Sequence, residues 1–158
     1  SPDAPLAVTM ALSSQNAQAS VTDLVFSGTL SRFPGLKFVY AESQAGWMPY
    51  HWERMDVVAE EGVSAGVVMD EKPSEIVKGH IFTAIFDDQT GLKYRDDIGM
   101  EHILFETDYP HTDGTFPESR NVVHKLCETA NMNADECYAL LRGNAIKCYG
   151  LERFGLDK

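Results

Sequence analysis

The segment Ile103–His111, which reads Ile-Leu-Phe-Glu-Thr-Asp-Tyr-Pro-His, holds the residues best suited to chemistry in this sequence. A short apolar run leads into the carboxylate of Asp108 and then into a turn at Pro110 and His111. The periodicity of so short a run does not distinguish strand from helix, but its helical flanks and polar exit favour a buried parallel strand. We therefore predict a strand that delivers an acid and an imidazole to a loop at its C-terminal end.

Carboxylates also follow the other two apolar runs of the chain. Glu42 follows the first run, and the pair Asp87-Asp88 follows the second. Parallel strands align their C-terminal ends, so these side chains and Asp108 are expected at one rim. Carboxylate and imidazole groups at such a rim can bind a divalent metal, which lowers the pKa of a bound water. We interpret Asp87-Asp88 as the cap of the following helix and leave it out of the site.

The order of predicted elements indicates an α/β fold. Three runs rich in β-forming residues are predicted as strands: 36–41, 81–86 and 103–106. Helical patterns lie before, between and after these runs, which predicts parallel strands joined by right-handed crossovers. Thr115–Glu118 and Asn133–Glu136 have the pattern of capping boxes at helix starts. Because the chain shows no repeat, linker or low-complexity segment, residues 1–158 are expected to form a single unit.

The composition is that of an acidic globular protein. The 158 residues are 44% hydrophobic and 23% charged, with a formal net charge of -11. Such a charge argues against nonspecific nucleic-acid binding and against docking on anionic membranes. No apolar run approaches the roughly 18 to 20 residues of a membrane span. Cys127, Cys137 and Cys148 form no C-x-x-C pair and are expected to be free thiols in a reducing compartment, which favours the cytoplasm.

Three segments carry a resemblance to a known family: Phe26–Tyr50, Ile103–His111 and Gly143–Leu151. They resemble the amidohydrolase-related family, which includes aminocarboxymuconate-semialdehyde decarboxylase and its relatives. The segments lie in the order of that family and at about its spacing. Together they span nearly the whole chain.

The resemblance implies the C-terminal part of a metal-dependent TIM (β/α)8 barrel. Asp108 matches the aspartate of the last strand, which binds or faces the metal and handles the proton of the attacking water. Glu42 matches the end of the sixth strand, where many members carry a histidine, so a different branch of the family is indicated. The resemblance makes Asp108 and Glu42 catalytic, and it puts Trp47 and His111 at the substrate mouth. It also implies a divalent metal, with zinc preferred, in the intact enzyme.

Several of these residues have a second interpretation. Four histidines are expected to serve packing or solvation: His51, His80, His102 and His124. For His111, a role at the rim and a purely solvated loop position both stay open. For Trp47, core packing and substrate contact both stay open. Glu42 alternatively forms an ion pair with an arginine such as Arg54.

The sequence departs from the family in its metal ligands. The family carries a His-x-His or Glu-x-His pair on its first strand and another histidine on its fifth, and this chain has neither. We interpret the three strands as the last three of the barrel. The expected function is the C-terminal portion of a metal-dependent hydrolase or nonoxidative decarboxylase of a small organic molecule. We expect it to be inactive, and to bind metal weakly, without an N-terminal half.

Two other classes of function stay open. A three-stranded parallel sheet has two unpaired edges, so the chain can be a non-catalytic assembly domain. Its partner would be a second copy in a homo-oligomer or a separately encoded N-terminal half. A doubly wound binding domain is the third class, but such domains use a glycine-rich turn, and neither G-x-G-x-x-G nor a P-loop occurs here.

Overall fold

The structure, a computed structural model, describes residues 3–156, and its centre is a three-stranded parallel sheet. The strands lie in sequence order across the sheet: β1 (Phe38–Tyr40), β2 (Ile81–Ile85) and β3 (Ile103–Phe105). Phe38 lies opposite Ile81, and Thr83 lies opposite Ile103. The predicted strands and their parallel arrangement are confirmed, although each strand ends earlier than predicted and β1 also begins later. The chain leaves the extended conformation at these ends to form the loops that carry the candidate site.

Helices lie before, between and after the strands, as crossovers between parallel strands require. In chain order they are α1 (Leu6–Ala11), α2 (Ser14–Phe26), α3 (Thr29–Arg32), α4 (Met48–Glu61), α5 (Pro73–Ile76), α6 (Gln89–Lys93), α7 (Arg95–Ile98), α8 (Ser119–Thr129), α9 (Ala134–Tyr138) and α10 (Asn144–Tyr149). Turns of 3-10 helix occupy Gly62–Ala65, Met100–His102 and Leu151–Phe154, and the π-helical turn Ala139–Gly143 joins α9 to α10.

Apolar side chains cover both faces of the sheet. One face belongs to the main core, which includes residues of the sheet and of α2 and α4: Ile81, Ile85, Ile103, Val21, Val25, Met48 and Met55. The other face carries a second apolar cluster: Val39, Phe82, Ala84, Leu104, Ala145 and Cys148. Burial on both faces explains why the strands read as continuous apolar runs rather than alternating ones.

Asn144 fixes the C-terminal helices to the start of β3. Its side-chain Nδ2 donates to the carbonyl of Met100 at 2.7 Å and to that of Ile103 at 2.8 Å. Asn144 is only 3% exposed, so both bonds are shielded from water. This contact gives a structural role to the segment Gly143–Leu151, which the sequence comparison singled out.

Two local predictions differ from the structure. The predicted capping box at Thr115–Glu118 is wrong, because α8 begins at Ser119 and no side chain caps it. Thr115 instead donates to the carbonyl of Thr107 at 3.2 Å, so it folds the loop after β3. The helical pattern predicted between the second and third strands does not form one helix, because it is divided at Tyr94 into α6 and α7.

The second capping box is confirmed. The Asn133 side chain accepts from the amides of Asp135 and Glu136, and the Glu136 carboxylate accepts from the Asn133 amide at 2.9 Å. Asp88 is confirmed as a cap as well, since its Oδ1 accepts from the Gly91 amide at 2.8 Å.

Candidate functional site

A cleft of about 1130 Å³ lies at the C-terminal ends of the strands. Residues of α1 and of the following turn form one wall, and the strand-end loops form the other. The wall from the strand ends includes three of the four residues that the sequence singled out, together with their neighbours: Glu42, Gln44, Trp47, Phe86, Asp87, Asp108 and Asp113. His111, the fourth, is not among the residues that line the cleft. The expected gathering of strand-end carboxylates is therefore found on one side of this cleft.

Glu42, Asp108 and His111 form the centre of the candidate site. His111 Nδ1 lies 2.7 Å from Asp108 Oδ1 and 3.9 Å from Glu42 Oε1. One potential ligand atom from each residue lies within 4.8 Å of the other two. The Asp108 side chain is 8% exposed, whereas those of His111 and Glu42 are 59% and 55% exposed. Asp108 is thus the fixed member, and the other two face solvent.

The backbone at the strand ends explains how these side chains converge. Glu42 has a φ of 56° and Asp108 a φ of 55°, both in the left-handed region that non-glycine residues rarely adopt. These two turns stop β1 and β3 abruptly and direct their side chains toward each other. The loop after β3 then folds back, because the His111 amide donates to the Asp108 carbonyl at 2.9 Å.

Gly114 allows this loop to close tightly. A Cβ at this position would lie 2.8 Å from the carbonyl oxygens of both Thr107 and Asp108, which is closer than a side chain can approach. Beside it, the Thr115 amide donates to the Thr107 carbonyl at 2.9 Å. The turn from Asp108 to Thr115 is therefore packed against the exit of β3.

Glu106 is a residue of the site that the sequence analysis missed. Its Oε1 accepts a 2.6 Å hydrogen bond from the Glu42 amide and so connects the end of β3 to the end of β1. Burial raises the pKa of the Glu106 carboxyl; the Glu42 amide lowers it, and the charges of Asp108 and Glu42 raise it further. The available signal was its position: Glu106 is the first carboxylate after the apolar run of β3, just as Glu42 is the first after the run of β1.

The surroundings of His111 favour its charged form. The hydrogen bond to Asp108 raises the pKa of His111, and the charges of Asp108, Glu42 and Asp113 act in the same direction. The alternative partner of Glu42 is not found: among the ion pairs of residues 3–156, Glu42 pairs with His111 and not with Arg54.

Of the two roles that the sequence left open for Trp47, core packing is observed and substrate contact stays a prediction. Its indole Nε1 donates to the carbonyls of Ser43 at 2.9 Å and Gln44 at 3.1 Å, which fixes the ring. The ring packs edge-on against His51 and Trp52, with centroid distances of 5.5 Å and 5.6 Å, and one side lines the cleft.

The other histidines have structural surroundings, as expected. His51 shares a 2.8 Å hydrogen bond with Thr22, and burial lowers the pKa of its imidazole. His80 bonds to the carbonyl of Leu36, and the buried His102 bonds to that of Ile81. His124 is exposed on α8.

A second set of bonds holds the loop after β1 in place. Asp88 Oδ2 accepts from the amides of Ala45 at 2.6 Å and Gly46 at 2.7 Å, in addition to capping α6. Thr83, buried in β2, donates to the Gln44 carbonyl at 2.7 Å. The loop that carries Glu42 and Trp47 is thereby fixed to the middle strand and its crossover.

Comparison with known proteins is consistent with this geometry. A family model described as amidohydrolase matches residues 3–151, and the chain belongs to this family. An amidohydrolase from Mycobacterium avium subsp. paratuberculosis K-10 has a similar structure, with a TM-score of 0.72 and 20% identity over 85% of this chain. A second similar structure is that of a dihydroxybenzoic acid decarboxylase from Polaromonas sp. JS666, crystallised with manganese and the inhibitor 2-nitroresorcinol. Its TM-score is 0.71, and its sequence identity is 19% over 91% of this chain. No curated protein matches the chain.

These structures are larger than this chain. The chain covers 33% of the first and 42% of the second. At this level of identity the likeness concerns the fold, and it confirms the prediction of a partial (β/α)8 barrel. Within residues 3–156, no helix combines the length and apolar character needed to cross a membrane.

Proposed function

We propose that this chain, as a single unit over residues 1–158, is the C-terminal portion of a metal-dependent amidohydrolase-like enzyme. The reaction is hydrolysis or nonoxidative decarboxylation of a small organic molecule. The observation that carries the proposal is the convergence of Asp108, His111 and Glu42 at the strand ends, where Asp108 and Glu42 line an open cleft. Active sites of (β/α)8 enzymes lie at that end of the barrel. The manganese and the aromatic inhibitor of the Polaromonas decarboxylase support a divalent metal and a small cyclic substrate.

The donor set of this site fits a divalent metal such as zinc or manganese. Asp108, the most buried of the three side chains, would hold it, and Glu42 and His111 offer a second carboxylate and an imidazole. Carboxylate and imidazole ligands suit both metals. When bound, the metal would supply Lewis acidity toward a substrate oxygen or a water. Three ligands, two of them exposed, also support the expectation of weak metal binding in the absence of an N-terminal half.

The residues of this chain would handle the proton. Asp108 accepts from His111 Nδ1, which orients the imidazole and leaves its Nε2 free to exchange a proton with substrate or water. Glu42 offers a second carboxylate, whose Oε1 lies 3.9 Å from the same His111 Nδ1. The fixed ring of Trp47 provides an apolar wall for a flat substrate.

Calorimetric titration of the chain with Mn²⁺ and Zn²⁺ tests this proposal. We expect weak, saturable binding, and we expect Asp108→Asn to raise the Kd at least about tenfold, which corresponds to about 1.4 kcal/mol. The matched control is Asp96→Asn, which removes an acidic residue from the first turn of α7 and is expected to leave the Kd unchanged. Equal affinities of the Asp108→Asn and Asp96→Asn variants would refute the proposed ligand role.

The second candidate is a non-catalytic assembly domain. Its supporting observation is that β1 and β3 each pair only with β2 among the described residues, so both sheet edges are open. Exposed edges favour pairing with a further strand, from a second copy or from an N-terminal half. Light scattering after size-exclusion chromatography distinguishes the cases. If the chain stays monomeric at high concentration and does not bind an added N-terminal half, the assembly-domain hypothesis is wrong.

A further inference from the structure

The strand-end cleft is lined by charges of one sign. Its described lining includes neither a lysine nor an arginine, whereas five carboxylates belong to it: Glu42, Asp87, Asp88, Asp108 and Asp113. A cleft whose walls carry one sign of charge focuses the electric field and raises the local concentration of ligands of the opposite sign. The lining therefore favours a cation over an anion.

The cleft stays negative when the cations of the site are included. A charged His111 lies 2.7 Å from Asp108 and offsets one of the five carboxylates. A divalent metal held by Asp108 would offset two more. Two negative charges then remain uncompensated, in a chain whose formal net charge is -11. A substrate carboxylate would be repelled at this wall, and an organic cation would be attracted.

Asp87 and Asp113 are the carboxylates most accessible to a substrate, because both are exposed. Asp88 by contrast accepts from three backbone amides, which occupy both of its oxygens. Asp87 Oδ1 accepts from Gln44 Nε2 at 3.3 Å. Within residues 3–156 the second oxygen of Asp87 has no hydrogen-bond partner, so it can accept from a ligand.

Gln44 adds an acceptor that lacks a donor. A carboxylate can only accept, so the nitrogen of the Gln44 amide must face Asp87 and the oxygen must point elsewhere. The Gln44 Oε1 atom is buried and has no hydrogen-bond partner in the described part of the chain. An unmet buried acceptor costs free energy. A ligand that brings an N–H donor into the cleft would remove this cost when the Gln44 amide turns toward the opening.

We propose that the cleft selects a planar organic cation with N–H donors, such as an aryl amidinium, over a carboxylate of the same shape. This inference rests on the proposed function and names the substrate class of that site. The amidinium would donate to Asp87 as a guanidinium does, through N–H groups that suit a carboxylate. Its ring would lie along Trp47, whose indole attracts both cations and flat apolar groups. Because decarboxylation needs a carboxylate on the substrate, the proposal favours hydrolysis among the two reactions.

The test is a titration of the complete, metal-free chain with benzamidine, benzamide and benzoate. These probes share a ring and are similar in size, but they are positive, neutral and negative at pH 7. Binding is followed through the backbone amide signals in NMR spectra. We expect saturable binding of benzamidine, with a Kd at least about tenfold lower than that of benzamide, and still weaker binding of benzoate. The largest shifts are expected at Gln44, Trp47 and Asp87.

Two variants show whether this binding depends on the cleft. Asp87→Asn keeps the shape of the side chain but removes its charge, and it should raise the Kd of benzamidine at least about fivefold. Asp96→Asn removes the same charge from α7, outside the residues that line the cleft, and should leave that Kd unchanged. If Asp87→Asn fails to fold, Asp113→Asn takes its place with the same expectation.

Three outcomes would overturn the proposal: benzoate that binds as tightly as benzamidine, equal Kd values for the Asp87→Asn and Asp96→Asn variants, or no saturable shift with benzamidine. None of them decides the metal-dependent function, because the metal titration of Asp108→Asn contains no organic ligand. A chain that binds benzamidine at Asp87 but binds no metal would keep the specificity of the cleft and refute the metal-dependent function.

Discussion

Replacing Asn144 by alanine removes two hydrogen bonds of a buried side chain at the start of β3. The Asn144 Nδ2 atom is the donor in both, to the carbonyls of Met100 and Ile103. A net contribution of about 0.5 to 1.5 kcal/mol per bond gives about 1 to 3 kcal/mol for the pair. Leaving buried carbonyl groups with fewer donors adds to this loss, so we expect the free energy of unfolding to fall by about 2 to 4 kcal/mol.

Urea unfolding followed by circular dichroism measures this loss. The midpoint should fall while the m-value stays constant, because the surface exposed on unfolding hardly changes. Asn16→Ala is the matched control: Asn16 is an exposed residue of α2, and its replacement is expected to change stability by less than about 0.5 kcal/mol. If the two variants unfold at the same urea concentration, Asn144 does not fix the C-terminal helices to the sheet and the reasoning fails.

The remaining predictions concern the strand-end site. Asp108→Asn should lower the pKa of His111 toward the ordinary histidine value, as measured by an NMR titration, because the hydrogen bond and the charge that raise it are lost. In the unchanged chain, the stability that His111 contributes is fully present below the ordinary histidine pKa and is lost as the pH rises through the raised pKa of His111. A free energy of unfolding that does not change over this pH range would contradict the pairing of His111 with Asp108. Because the folded chain opposes ionisation of the Glu106 carboxyl, the unchanged protein should lose stability as the pH rises above the ordinary glutamate pKa of about 4.3. Glu106→Gln should remove this loss, which is measured as the urea midpoint of unfolding at a series of pH values. A variant with the same pH dependence as the unchanged protein would exclude Glu106 as the source of the loss. Gly114→Ala should lower the free energy of unfolding by about 1 to 3 kcal/mol, since the added methyl group would meet two carbonyl oxygens. Gly35→Ala is the control in the same unfolding assay, because a methyl group at Gly35 would have no neighbour within 4 Å.

The order of elements could be predicted because it depends on local patterns. Apolar runs rich in β-forming residues, separated by helical periodicity, indicate parallel strands with crossovers, and the sheet has this order. The Asn133 capping box was predicted for the same reason, since all its hydrogen bonds lie within one helical turn. The pattern at Thr115 was misleading because a threonine can cap a helix or fold a loop. In this chain the carbonyl of Thr107, brought near by the turn after β3, makes the second arrangement available.

The sequence by itself determined the sheet, the family and the position of Asp108 at a strand end. Only the tertiary structure decided which side chains meet there. Glu42 and His111 are far apart along the chain, and the choice of His111 rather than Arg54 as the neighbour of Glu42 depends on two left-handed turns that no periodicity signals. Glu106 acquires its role because β1 and β3 lie on either side of β2, and this brings its carboxylate to the Glu42 amide. Side-chain periodicity is a local property, whereas contacts between strand ends arise from the twist and register of the sheet and become defined only when the chain folds.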